Sequence, residues 1–182
     1  MIPVTLDSFI SAPRDDVFDL VADVSQRPAW TDHFQREFHL TRVTRQNEKG
    51  AGARYRTDPP FGRQLYSDLA IVELDRPRHI LEEGVQGKVN ASRVQLVWDF
   101  SEEGAHHTRV SLEMRTEPGS RLARAAEIGA HGYYKRNWKT ALERLRKIFE
   151  ERPEGELARA SVAGYEPLRA PRFGASSGIA RG

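Results

Sequence analysis

The sequence predicts an α+β fold: one strand, two short helices, an antiparallel meander of six strands, and one long C-terminal helix. Three observations carry this. Residues 37–117 are dense in β-branched and aromatic side chains and are broken at short intervals by turn residues. A proline-free stretch from about 120 to 152 has apolar residues recurring on one side at helical spacing. Between the first strand and the meander, Pro13, Asp15 and Asp16 stand where a helix begins.

In chain order, Val4, Leu6, Ser8 and Ile10 share one face of a first strand, and Ser11-Ala12-Pro13 opens a helix whose stripe is Val17, Phe18, Leu20, Val21 and Val24. Ser25-Gln26-Arg27-Pro28 interrupts that pattern and starts a second short helix with Trp30 and Phe34. Turn signals at 47–50, 58–62, 75–77, 84–87 and 102–104 divide the meander into strands near 37–46, 52–58, 63–75, 78–85, 90–101 and 106–117. Alternation is clearest in the last two. Val94, Leu96, Trp98 and Phe100 share a face, as do Val110, Leu112, Met114 and Thr116.

Pro118-Gly119-Ser120 ends the last strand and caps the long helix. Its inner stripe is bulky toward the C-terminus (Trp138, Leu142, Leu145, Phe149) and small or polar toward the N-terminus. From Pro153 the pattern dissolves into Gly, Pro, Ala, Ser and Arg. Residues 1–152 are therefore expected to form one domain, and 153–182 a tail without fixed structure.

Composition narrows the function classes. At 182 residues the chain can bury one substantial core, and with no cysteine it has neither a disulfide framework nor a thiolate metal site. The 28 Lys and Arg against 26 Asp and Glu are spread along the chain, so neither composition nor charge points to nucleic acid. Without a signal-like N-terminus or a run of about 18 apolar residues, a cytoplasmic protein without integral membrane association is expected, as monomer or homodimer. No motif calls for a metal or a cofactor.

The run Ile10-Ser11-Ala12-Pro13-Arg14-Asp15-Asp16-Val17-Phe18-Asp19-Leu20-Val21-Ala22-Asp23, followed by Pro28-Ala29-Trp30, resembles the opening of polyketide cyclase/dehydrase-type proteins of the START-like (SRPBCC) superfamily. Glu73-Leu74-Asp75-Arg76-Pro77-Arg78 and Thr108-Arg109-Val110-Ser111-Leu112 are similar to that family's hairpin and penultimate-strand patterns, so the likeness spans about 3–150. It implies a helix-grip (START/Bet v 1-like) fold, a curved sheet of about seven strands wrapped around the terminal helix. Its members include lipid and sterol carriers, ubiquinone-binding proteins, aromatase/cyclases and chaperone activators. A pocket is implied and its occupant is not.

On that fold, Ala123, Ala126, Gly129, Ala130 and Gly132 are too small to fill the space under the first half of the helix, and a gap is expected there. Its expected walls are Trp98, Phe100, Leu112, Met114 and Tyr66 from the sheet, Trp30 and Phe34 from the helix pair, Phe61 from the proline-rich loop, and Ala130 and Trp138 from the helix. Three functions remain open. The first is a binder of a lipid-, polyketide- or quinone-like molecule. The second is a metal-free cyclase or dehydratase, with His131 as base held by Glu127, and Tyr134 stabilising an enolate. The competing reading of Glu127 and His131 is a solvated helix pair. The third is an interaction module that binds a partner through its tail. Arg54 and Arg56, on one strand face, are candidates to meet an acidic head group.

Overall fold

The computed structural model describes residues 3–42, 48–60, 64–87, 92–104, 106–153 and 155–166. The elements are β1 (Val4–Ile10), α1 (Arg14–Ala22), a 3-10 turn (Val24–Gln26), α2 (Pro28–Thr31), β2 (Arg36–Arg42), β3 (Gly52–Thr57), β4 (Leu65–Asp75), β5 (His79–Gln86), β6 (Ser92–Glu102), β7 (Thr108–Pro118) and α3 (Arg121–Glu151). All seven strands form one sheet in the order β1-β7-β6-β5-β4-β3-β2, and every pairing is antiparallel. Each strand from β2 to β7 therefore lies beside its successor, and β1 joins on the far side of β7. This is the helix-grip arrangement.

Short links force the meander, and period-2 burial gives it one dry face. Along β6 and β7 every second residue is buried, from Ser92 to Phe100 and from Thr108 to Thr116. At β5, Gly84 lies so close to β4 that a Cβ there would sit 1.9 Å from the carbonyl oxygen of Asp68. Only glycine permits that approach.

The long helix starts where its cap predicts: Ser120 is extended, and its side chain accepts a hydrogen bond from the Ala123 amide at 3.1 Å. α3 packs against β1, β7 and α2 and buries Ala130, Tyr134, Trp138, Ala141, Leu142 and Leu145. α1 buries Val17, Phe18, Val21 and Ala22, with Phe18 edge-on to Phe100 at 5.2 Å. α2 is shorter than the sequence suggests: it carries Trp30, and Phe34 follows in the turn after it. Among the described residues no helix is long and apolar enough to cross a membrane.

The tail expectation needs correction for its first part. After Pro153 the chain runs back over the domain, where the Ala160 amide donates to the Ser25 carbonyl at 2.8 Å and the Ser161 carbonyl accepts from the Leu40 amide at 3.0 Å. Arg159 donates to the Asp23 carboxylate at 2.6 Å and to the Ser25 hydroxyl at 3.0 Å. Ala160 is buried, and Leu157 and Tyr165 pack against the core. Two backbone bonds to separate elements and three packed side chains offset the ordering entropy that composition alone left uncompensated.

Candidate functional site

The dry face of the sheet divides into an aromatic end and a polar end, and register sets the division. In one row across the sheet, Ile80 stands opposite Trp98, and Trp98 opposite Leu112. Next comes Glu82 opposite Leu96, with Met114 beyond. The last row has Gln86 between Ser67 on β4 and Ser92 on β6, with Tyr55 opposite Ser67.

The aromatic end is filled. Trp98 meets Trp30 at 5.9 Å and Trp138 at 5.6 Å, both edge-on, and Phe34 meets Trp138 at 5.1 Å. Phe100, Leu112 and Met114 are buried beside them. At its border lies an ion pair sealed from solvent: Arg27 Nη2 is 2.7 Å from Glu82 Oε1, with the two side chains 3% and 6% exposed. The same carboxylate oxygen accepts from Trp98 Nε1 at 2.8 Å, and Arg27 Nη2 also donates to the Val21 carbonyl at 3.2 Å. The guanidinium lies 5.1 Å and 5.2 Å from the Trp30 and Trp98 ring centres, so the charge is balanced by one carboxylate and two π faces.

At the polar end, the Tyr134 hydroxyl accepts a short hydrogen bond from Gln86 Nε2 and lies 3.2 Å from Thr57 Oγ1. One residue along, the Asp58 amide donates to the Tyr133 hydroxyl at 3.3 Å, so two tyrosines of α3 tie its first half to the end of β3. Tyr55 stacks on Phe38 at 5.8 Å and hydrogen-bonds Ser67. Burial, reinforced by the negative Glu82, pushes its phenol well above the ordinary value, and the group stays protonated. Ser92 and Thr116 are buried on the same face. Gln35, just before β2, is also buried, and among the described residues neither its amide oxygen nor its amide nitrogen has a hydrogen-bond partner.

Several expected site residues come together here and others do not. Trp30, Phe34, Trp98, Phe100, Leu112, Met114, Ala130, Trp138 and Tyr134 all lie in the interior. His131 is partly buried at the edge of the inner stripe and makes no hydrogen bond among the described residues. Phe61 and the side chain of Glu127 lie outside the described residues. Tyr66 is corrected. It sits on the outer face, 38% exposed, with its ring 5.1 Å from the Arg54 guanidinium and its hydroxyl donating to Glu37 at 2.8 Å. Arg56 turns outward with it and pairs with Glu37 and Asp58. Gly129 and Gly132 face solvent, and a Cβ at Gly132 would meet nothing within 4 Å, so neither thins the inner stripe.

Sequence reasoning missed Gln35, Tyr55, Thr57, Ser67, Glu82 and Gln86. Period 2 along β5 places Ile80, Glu82 and Gln86 on one face, and that signal was available. Away from this face, a concavity of about 490 Å³ lies between α1 and the last turn of α3, walled by Pro13, Leu20, Ile148, Phe149, Arg152 and Leu157. Among the described residues no three His, Asp or Glu side chains gather as a metal site.

Comparison with solved structures finds the same fold at low identity. The chain is similar to the Zhui aromatase/cyclase from Streptomyces sp. R1128 (TM-score 0.65, 15% identity, covering 82% of this chain and 94% of that one). It is also similar to the ginseng major latex-like protein 151 from Panax ginseng (TM-score 0.57, 10% identity, 81% and 96%). A third is the protein TTHA0849 from Thermus thermophilus (TM-score 0.59, 17% identity, 79% and 96%). No curated protein sequence matches the chain significantly. Residues 11–150 match the model of the family described as Activator of Hsp90 ATPase homolog 1-like protein. With its seven-stranded sheet closed over one long helix, the chain belongs to that family, within the START-like (SRPBCC) helix-grip superfamily.

Proposed function

We propose that this protein binds one small molecule with a hydrophobic or aromatic body in the interior between the sheet and the first half of α3. The observation that carries the reading is the clustering of buried polar side chains at one end of a face that is mainly apolar beyond the Arg27–Glu82 pair: Tyr55, Thr57, Ser67, Gln86, Ser92, Thr116 and Tyr134. A face selected only for packing has no use for these groups, because each loses hydration on burial, at about 1–3 kcal/mol where a partner is missing. Apolar walls with a few convergent polar groups are the composition of a small-molecule site. One structural relative is named an aromatase/cyclase, which accords with an aromatic ligand, although it shares only 15% identity with this chain.

The test uses N-phenyl-1-naphthylamine, an uncharged fluorophore that brightens in apolar surroundings. Saturable binding of one probe per chain is expected, with quenching of the emission of Trp30, Trp98 and Trp138. Tyr134→Phe should weaken it by several-fold, because the substitution frees Gln86 and Thr57 to collapse on each other. Absence of saturable binding, together with no co-purified molecule in native mass spectrometry, would remove the proposal.

A further inference from the structure

One group at the polar end has no structural explanation. Gln35 is 2% exposed, and among the described residues both polar atoms of its amide lack a partner. Buried polar groups are paired in the great majority of folded proteins, so an unpaired buried amide points to a partner outside the chain, a ligand or a water. Its position follows from register. Arg36 pairs with Arg56, and both belong to the outer face. The pairing stops at Arg36, and extending its register by one residue sets Gln35 against Thr57, an inner-face residue that is 1% exposed and joined to Tyr134. The amide is thereby brought to the polar end of the interior.

Charge narrows the class of ligand. Of the buried charged residues, Asp23 is engaged by Arg159 near the surface, while Arg27 and Glu82 neutralise each other. The described groups at the polar end are hydroxyls and amides. An anion moved there loses its hydration and finds, among the described residues, no buried cation left unpaired.

We propose that Gln35 reads the ligand, and that the ligand is an uncharged molecule whose buried end carries a hydrogen-bond donor beside an acceptor, as in a primary amide, a lactam or a hydroxy-ketone. A carboxamide offers one N–H and one carbonyl oxygen side by side and pairs with such a group through two hydrogen bonds at once. This rests on the interior being the binding site.

Three probes share one apolar body: 2-naphthamide, 2-naphthoate and 2-ethylnaphthalene. Their affinities for the full chain are measured at pH 7 by displacement of N-phenyl-1-naphthylamine and by calorimetry. The amide is expected to bind tightest, with the carboxylate at least about tenfold weaker. Gln35→Leu should cost the amide about tenfold, leave 2-ethylnaphthalene unchanged or tighter, and not lower the melting temperature of the free protein, since it removes an unpaired polar group. If naphthoate binds as tightly as the amide, or if Gln35→Leu binds the amide like the parent, the proposal falls while the binding site stands. If neither the fluorophore nor any probe binds, the interior-site reading falls first. Should Gln35→Leu not fold, the ranking of the three probes on the parent chain decides, with Gln35→Met as the second variant.

Discussion

Replacing Glu82 with leucine takes the counter-ion from a guanidinium that cannot reach water. Arg27 is 3% exposed; it would keep its bond to the Val21 carbonyl and its place between Trp30 and Trp98, but would carry an uncompensated charge. Breaking a buried pair from one side costs about 3–5 kcal/mol, and Trp98 Nε1 also loses the carboxylate that accepts from it, about 1 kcal/mol more. At about 2–4 °C per kcal/mol for a chain of this size, a combined loss near 5 kcal/mol lowers the melting temperature by roughly 10–20 °C. The double variant Arg27→Met, Glu82→Leu removes both charges and fills the site with apolar volume, and it should recover most of that loss. Urea titration followed by tryptophan emission, cross-checked by calorimetry, gives both numbers. A cost below about 1 kcal/mol for Glu82→Leu, or a double variant no better than the single one, would refute the account of this pair as a sealed, mutually dependent unit.

Three further perturbations probe other parts of the molecule. His33 Nε2 lies 3.1 Å from the Asn137 carbonyl, so the ring donates from Nε2, while buried Nδ1 has no partner among the described residues; burial, with the Arg144 charge next, lowers its pKa below 6.5. The unfolded chain then binds the proton first, and stability present above pH 6.5 is lost as pH falls through the lower folded value; melting curves from pH 8 to 5 should show this, and His33→Gln should flatten it. Gly84→Ala forces a Cβ into the Asp68 carbonyl and should cost at least about 3 kcal/mol by urea titration, while Gly132→Ala, in open space on a helix, should gain up to about 1 kcal/mol. Deleting 155–182 removes the backbone bonds to Ser25 and Leu40 and the buried Ala160, and it should destabilise the domain by about 2 kcal/mol; an unchanged melting curve would show that the segment contributes nothing.

The element order was legible because the strongest signals were local. Alternation in β6 and β7 reports burial directly, and Ser120 begins α3 through its own side chain. Tyr66 was misplaced because β4 does not keep period 2: Ser67, Leu69, Ala70 and Ile71 are all buried, and a bulge between Ile71 and Glu73 shifts the phase. The polar end was not read, since Glu82 and Gln86 look like ordinary strand polar residues until Arg27 and Tyr134 arrive from 55 and 48 residues away. The docked segment 155–166 escaped for a similar reason: its composition is that of a linker, and what holds it belongs to the surface it meets.

The position of β1 bears on how the domain is made. Its partner is the last strand, so Val4 finds its place only opposite Met114. During synthesis at about 5–20 residues per second, the opening strand waits roughly 5–20 s before its neighbour exists, while β2 to β6 zip up in turn. β1 is therefore the strand that joins the sheet last, and in that interval its Ile10 and Val4 side chains are open to any holdase that recognises short apolar stretches.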